Sequence, residues 1–478
     1  MSLHSLFFIF GFFPIFLITY YRAKDSFKEI IIFFGSCCFY YLCSEEAIYY
    51  GILICFLTYI SSFLQNWIQS KYKDNKTLNK LCLFSLIILL LLPLLYFKYK
   101  NFILSEISTY FDINFNNNYH SNNDLLIIPG ISFITFSVIS YIIDCYTKKI
   151  CIQKNPFKLC SYILMFPKVL MGPIVRYSDY HQYENHKEIT LNNFSIGFKR
   201  FILGFFKKSV IADNLASVVA LTNTTDDISQ YPISLLWLSS VCFSLQIFFD
   251  FSGYSDMAIG IAKMLGFNFK ENFNYPYIAS SITDFWRRWH ISLSFWFRDY
   301  VYIPLGGSRQ STIKNIFTLL TVWFLTGLWH GAAHNFIIWG LIFFICILFE
   351  RYVLHINERC YFIKNTWRIC TLLIVNINWV IFNSSSLNVA FNKICSMFGI
   401  TSADFYSDIT YRAISENFIF LILGILLCFP FTNVLIPQKQ DTTKTYIVIE
   451  SLLLLFLLIW GVSYQVLGTH NPFLYQQF

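Results

Sequence analysis

The chain has 478 residues, of which 56% are hydrophobic and only 13% are charged, and its mean hydropathy is +0.53. Soluble domains usually carry about 25% charged residues, so this composition excludes an ordinary soluble enzyme, a disordered protein and a nucleic-acid-binding protein. Aromatic residues reach 20% of the chain, which suits contact with lipid and with the membrane interface. We therefore predict an all-α polytopic integral membrane protein with membrane lipid as its surroundings.

A helix needs about 20 predominantly apolar residues to cross a bilayer. Two apolar stretches, 159–173 and 194–212, are interrupted by Pro, Gly or Lys and are predicted to be short, tilted or re-entrant. Together these patterns predict one membrane domain over residues 1–478 with about eleven transmembrane helices, re-entrant pieces and an interfacial amphipathic helix. The predicted spans are 3–19, 30–43, 47–64, 81–97, 127–145, 232–251, 316–333, 335–349, 367–383, 416–436 and 447–464.

Basic residues in the loops predict the orientation of the chain. The first apolar run is followed, not preceded, by Arg22 and Lys24, which indicates a retained helix with its N-terminus outside. Lysines also cluster at 71–80 and at 148–158, and the net charge of +8 fits an excess of basic residues on the cytoplasmic side. The Asn-rich loop at 112–124 lies between these clusters and is predicted to be outside.

Two histidines stand within a long uncharged stretch. No Lys, Arg, Asp or Glu occurs from Asn315 to Phe349, and this stretch contains His330 and His334. An ionisable group at membrane depth is a functional hypothesis by default, and a neutral imidazole can act as a general base on a hydroxyl. The alternative for either residue is a histidine bonded within the helix packing, which we favour for His334. The i, i+4 spacing also suits a metal, but no third ligand is evident, so we expect no metal.

Residues 283–302 form a second candidate region. Wound as one helix, this stretch places its large apolar side chains in a single stripe and its arginines off that stripe. The pattern predicts an interfacial amphipathic helix with arginines directed to the polar side. His290 lies at the edge of the apolar face, beside Arg287, and plain anchoring does not require it. The stripe comprises Trp286, Trp289, Leu293, Trp296 and Tyr300.

Charged residues accompany glycine in three further segments. In Asp250-Phe-Ser-Gly-Tyr-Ser-Asp256, the glycine and serines are predicted to break the helix, and Asp250 is expected to pair with an arginine of the amphipathic helix. Basic side chains in two other segments are candidates for holding an anionic cofactor, with snorkelling to the headgroups as the alternative. These are Lys168, Arg176, Lys207 and Lys208, to which we add Arg287 and Arg288.

These segments resemble the membrane-bound O-acyltransferase family, in its bacterial polysaccharide branch, which includes membrane subunits of alginate and peptidoglycan O-acetyltransferases. The matching motifs run in order through most of the chain, from about residue 90 to the C-terminus, with a catalytic core at about 125–350. They include Pro129-Gly-Ile-Ser-Phe133, Gly172-Pro-Ile-Val-Arg176, Phe205-Phe-Lys-Lys208, Asp250-Phe-Ser-Gly253, Trp286-Arg-Arg-Trp-His290, Arg298-Asp-Tyr-Val-Tyr302, Leu328-Trp-His-Gly331 and Asn471-Pro-Phe473.

The resemblance implies a catalytic role for His330 and a role for His290 as the family's second polar position. No role carries over to His334, and the arginine of a late family motif is replaced by Asn383. It further implies an enzyme of the bacterial inner membrane that takes acetyl from cytoplasmic acetyl-CoA. An acceptor hydroxyl would arrive from the outer side, and an exported SGNH-hydrolase-type partner would pass the acetyl group to a glycan.

Three alternatives to polysaccharide O-acetylation remain at this point. One is D-alanyl transfer to teichoic acid from an acyl-carrier protein, within the same family. Another is a transporter of a polar substrate, which would also explain buried His and Asp but not the helix containing Trp286 and His290. A purely structural subunit is a third possibility. The sequence does not name the polysaccharide.

Overall fold

The computed structural model describes residues 1–111, 128–185, 189–224, 227–356, 361–400, 404–430, 444–468 and 473–474. The predicted outer loop at 112–124 and the beginning of the Asn471-Pro-Phe473 motif lie outside these residues. All regular elements in the described part of the chain are helices. The packing divides the chain into two units, one formed by Met1–Phe194 with Ile261–Phe269 and the other by Ser195–Gly260 with Lys270–Phe478.

Eight helices among the described residues are long and apolar enough to cross a membrane. The other three predicted spans also form helices, but these helices are not both long enough and apolar enough to be counted with the eight. The predicted spans 3–19 and 127–145 form the shorter apolar helices Phe8–Arg22 and Ile131–Tyr146. Residues 367–383 belong to the helix Tyr361–Asn383, whose polar first half lowers its apolar character. The prediction of an all-α polytopic membrane protein is therefore confirmed.

In the first unit, a cluster of phenylalanine rings holds the N-terminal helices together. The ring of Phe166 lies 5.1 Å from that of Phe16 and 5.5 Å from that of Phe39, measured between centroids. Rings at these separations attract each other beyond their burial of apolar area. The helices are α1 (Phe13–Arg22), α2 (Asp25–Cys43), α3 (Ala47–Lys71), α4 (Lys76–Leu94), α5 (Lys100–Phe111), α6 (Ile131–Tyr146), α7 (Pro156–Leu164), α8 (Phe166–Val169) and α9 (Tyr177–Asn185).

The second unit contains His290 and His330, the two histidines to which the family resemblance assigns roles. Its aromatic residues from several helices form one hydrophobic core. The helices that follow α9 along the chain are α10 (Leu191–Phe206), α11 (Asp213–Leu221), α12 (Ile233–Met264), α13 (Ile282–Arg288), α14 (Ile291–Phe297), α15 (Thr312–His330), α16 (His334–Leu348), α17 (Tyr361–Asn383), α18 (Leu387–Met397), α19 (Asp408–Leu427) and α20 (Lys444–Val466).

The expected break at Gly253 was wrong, because α12 runs through Asp250–Asp256 without interruption. Gly253 serves a different purpose, which is the close approach of two helix backbones. A Cβ atom at Gly204 of α10 would lie 2.5 Å from the carbonyl oxygen of Gly253, and one at Gly253 would lie 2.7 Å from that of Gly204. Small residues that let helices approach in this way are typical of membrane proteins.

Gly204→Ala should therefore destabilise the protein. The added methyl group meets backbone atoms, which cannot rotate away, so α10 and α12 must separate at a cost of about 1–3 kcal/mol. Thermal unfolding of the detergent-solubilised protein measures this loss. Gly11→Ala is the matched control, because its Cβ would meet only the Phe7 side chain at 3.6 Å. Equal melting temperatures for the two variants would contradict the close packing.

Candidate active site

His330 is the last residue of α15 and is surrounded by aromatic side chains. Its side chain is buried, with 2% of the residue exposed. The imidazole centroid lies 4.8 Å from the indole of Trp339 on α16 and 5.4 Å from the ring of Phe382 on α17, both nearly perpendicular to it. Helix α15 ends here because Gly331 adopts an extended conformation. Residues of three helices therefore enclose this imidazole in a buried, aromatic environment.

His290 is equally buried, with 1% exposed, and lies in the same unit. Its backbone is left-handed, with φ 43° and ψ 54°, a conformation that costs a residue other than glycine about 1–3 kcal/mol. Its ring centroid is 5.7 Å from the indole of Trp329, which in turn lies 4.8 Å from the ring of His330. The structure thus brings His290 and His330, two of the three histidines singled out in the sequence, to the same indole.

The predicted continuous amphipathic helix is wrong in two respects. The left-handed residue His290 divides it into α13 and α14, and a π-helical segment, Arg298–Tyr302, follows. The apolar stripe is buried inside the protein rather than turned toward lipid, with Trp289 fully buried. Periodicity could not show this, because a stripe facing protein and a stripe facing lipid have the same spacing.

A buried carboxylate holds the start of α13. Glu350, in the segment that follows α16, accepts hydrogen bonds from the backbone N–H groups of Ile282 and Thr283 and from the Trp367 indole. The first N–H groups of a helix have no partner within it, and its N-terminus favours negative charge. Glu350 therefore fixes the helix that leads directly into His290.

Arg287 and Arg288 lie on α13 immediately before His290. Arg287 is exposed, while the Nε of Arg288 donates to Asp284 Oδ1 at 3.0 Å. Both guanidinium groups belong to the same unit as the two histidines. Arg176 belongs to the first unit, as does Lys168, whose buried ammonium lies 4.4 Å from the ring centroid of Tyr162.

Lys207 and Lys208 are both engaged by carboxylates of α12. The Nζ of Lys208 lies 2.7 Å from Asp250 and 2.8 Å from Asp213, and all three side chains are almost fully buried. The expected pairing of Asp250 with an arginine of the amphipathic region is therefore wrong. The Nζ of Lys207 lies 2.7 Å from Asp256. The Asp250 pairing favours a structural role for Lys208.

Lys208→Met should destabilise the protein by about 3–5 kcal/mol, because it leaves Asp213 and Asp250 buried without their cation. The matched control is Lys207→Met at the next position. Its partner Asp256 keeps two hydrogen bonds from Arg200, at 3.1 and 2.9 Å, so a loss below about 1 kcal/mol is expected. Thermal unfolding in detergent compares the stability of the two variants. Similar losses of stability would show that the buried Lys208 contributes no more to the fold than Lys207 does.

Sequence reasoning missed the side chains that surround the two histidines. Asn272 accepts from His290, and Trp339 and Phe382 pack on His330. Each comes from a different part of the chain, and no local pattern marks them. His334 is exposed at the start of α16. Within the described residues, no group of three or more His, Cys, Asp or Glu side chains is placed to hold a metal ion.

These features define a multi-pass helical membrane protein in which two buried histidines lie against one indole. The profile of the membrane-bound O-acyltransferase family matches residues 36–396. A probable alginate O-acetylase AlgI of Pseudomonas aeruginosa is 38% identical over 406 residues, which cover 83% of this chain and 75% of that protein. A peptidoglycan O-acetyltransferase of Helicobacter pylori is 34% identical over 338 residues, covering 64% of this chain and 62% of that protein.

A teichoic acid D-alanyltransferase of Bacillus subtilis is also similar, at 29% identity over 275 residues that cover 55% of this chain and 69% of that protein. The chain therefore belongs to the membrane-bound O-acyltransferase family. The predictions of this family and of an O-acyltransferase enzyme are confirmed.

Proposed function

We propose that this protein transfers an acetyl group from acetyl-CoA on the cytoplasmic side of the bacterial inner membrane to an acceptor on the outer side, for O-acetylation of a polysaccharide. The observation that carries the proposal is the burial of His330 and His290 around one indole, in a chain similar to an alginate O-acetylase and a peptidoglycan O-acetyltransferase. An exported SGNH-hydrolase-type partner completes the delivery to the glycan.

In this proposal His330 is the general base. Its neutral imidazole takes the proton of the acceptor hydroxyl while the hydroxyl oxygen attacks the thioester carbonyl carbon. The new C–O bond forms, the C–S bond breaks, and the imidazolium returns its proton to the departing thiolate. A base positioned in this way contributes about 10²–10⁴-fold to a rate. The buried aromatic environment of His330 favours transfer to the acceptor over hydrolysis, because it limits the access of water to the thioester.

The charge distribution of the second unit supports a cytoplasmic donor. Lys314 lies in the first turn of α15. Arg351, which follows α16, donates to Asn315 at 2.8 Å, so the start of α15 and the end of α16 lie side by side and both carry a basic residue. Basic ends face the cytoplasm in most membrane proteins. His330 lies at the other end of α15, roughly 24 Å away at 1.5 Å per residue. The exposed guanidinium of Arg287 is suited to binding the phosphates of CoA. The proposal also includes the orientation expected from the sequence, with the N-terminus outside.

D-alanyl transfer to teichoic acid is the second candidate, favoured by the similarity to the Bacillus subtilis enzyme. It would use the same base but a different donor. The lower identity and the smaller share of this chain that is matched make it the weaker candidate. Release of D-alanine instead of acetate from the cell envelope would distinguish it.

His330→Ala should abolish the O-acetylation that depends on this protein, because no base then accepts the hydroxyl proton. Base-released acetate is measured on surface glycans of cells lacking the protein and complemented with wild type, His330→Ala or His334→Ala. His334 is the matched control, since it is the same residue type four positions away and is exposed. At equal membrane abundance, wild type and His334→Ala should restore acetate, while His330→Ala should not.

Two results would contradict the proposal. Full restoration by His330→Ala would remove the catalytic role of His330. If wild type restores no acetate but restores ester-linked D-alanine, the transferase acts on teichoic acid instead. The polymer that loses acetate identifies the acceptor polysaccharide.

A further inference from the structure

The hydrogen bonds around Asn272 determine which nitrogen of His290 carries its hydrogen. Asn272 is fully buried, and it lies between α12 and α13. Its Oδ1 accepts from the backbone N–H of Ser292 at 3.2 Å and from the Ser292 hydroxyl at 2.8 Å. The same oxygen lies 3.2 Å from His290 Nδ1. Its Nδ2 donates to Ser255 Oγ at 3.2 Å.

The backbone N–H of Ser292 settles the orientation of the Asn272 amide. An N–H group can only donate, so the amide atom that faces it must be the oxygen. The His290 Nδ1 lies 3.2 Å from that same oxygen, which can only accept, so this hydrogen bond places the ring hydrogen on Nδ1. The Ser292 hydroxyl is 3.5 Å from Nδ1 but only 2.8 Å from the oxygen, to which it donates instead. The two amide atoms of asparagine look alike in most structures, but here the network distinguishes them.

His290 is a neutral imidazole in this environment. Burial lowers the pKa of His290 to about 3, and the ring lies outside the spanning helices. The side chains that face it include the uncharged Phe251 from α12, Trp329 from α15, Asn272 and Ser292. A neutral imidazole has one hydrogen. With that hydrogen on Nδ1, the lone pair is on Nε2.

We propose that Asn272 is a positioning residue for the transfer reaction, which holds the hydrogen of His290 on Nδ1 and makes Nε2 a hydrogen-bond acceptor toward the substrates. His290 then receives a hydrogen bond from a hydroxyl or amide N–H group, such as the acceptor hydroxyl or an amide of the pantetheine arm. It does not donate to the thioester carbonyl oxygen. This inference rests on the proposed function, which assigns His290 to the reaction.

The test compares Asn272→Ala, Asn272→Asp and Asn274→Ala in inside-out membrane vesicles supplied with [14C]acetyl-CoA. Base-labile radioactive ester in the glycan fraction is measured across pH at matched protein abundance. Asn272→Ala should lower kcat about 10- to 100-fold, as loss of an orienting partner does, while KM for acetyl-CoA changes less than about twofold. Asn274→Ala is the matched control, because Asn274 is exposed two residues away, and it should match wild type.

Asn272→Asp should recover most of the rate, because a carboxylate oxygen also accepts from Nδ1–H. A nearby negative charge favours the imidazolium and so raises the pKa of His290. The imidazolium has no lone pair on Nε2, and it now forms at higher pH, so the acid limb of the pH–rate profile should move upward. If Asn272→Ala keeps the wild-type rate, or Asn272→Asp fails as fully as Asn272→Ala without a shifted limb, the positioning role is wrong.

A second readout does not depend on activity. In 15N-histidine-labelled protein, the His290 signals are those lost in the His290→Gln variant. We expect Nδ1 in the protonated range and Nε2 in the unprotonated range, and the reverse assignment would overturn the inference. If His290→Ala and His330→Ala lose ester formation while Asn272→Ala stays active, only the positioning role of Asn272 is rejected. Full activity in both histidine variants would instead reject the proposed function.

Discussion

The cost of placing a polar or charged side chain away from water is the constraint on which this structure depends. A chain with 13% charged residues has little polar surface, and each buried polar group needs a partner inside the protein. Lys208 meets this requirement with Asp213 and Asp250, and Glu350 meets it at the start of α13. The same cost keeps His290 neutral, because a charged imidazole would be buried away from water. A neutral imidazole has a lone pair with which it can accept a hydrogen bond.

The site is built by helix ends rather than by a single motif. His330 ends α15, His290 separates α13 from α14, and Glu350 follows α16. Helix ends expose backbone groups and allow unusual backbone angles, such as the left-handed conformation of His290. Glu350, from the segment after α16, and Asn272, from the segment between α12 and α13, stabilise this arrangement. The indoles of Trp329 and Trp339 then bury the two imidazole rings.

The corrections to the sequence interpretation share one cause. A helical stripe containing Trp289 has the same spacing whether it meets lipid or protein, so the pattern did not reveal that it is buried. Gly253 and its serine neighbours have low helix propensity, yet α12 continues through them because Gly253 packs directly on Gly204. Asp250 needed a cation, but charge alone did not distinguish an arginine of α13 from Lys208. In each case, the deciding contact comes from a residue distant in the sequence.

Composition and local motifs by themselves determined the membrane class, the helical fold and the family, and they singled out His290 and His330 as candidate site residues. These features are local, because apolar length, the absence of charge around His330 and motif order can be read along the chain. Only the tertiary structure decided that Trp329 contacts both histidines, that Trp339 and Phe382 pack against His330, and that Asn272 lies within hydrogen-bond distance of His290. Hydrogen-bond direction and ring contacts depend on distances of a few ångströms between helices, and such distances leave no periodic trace in the sequence.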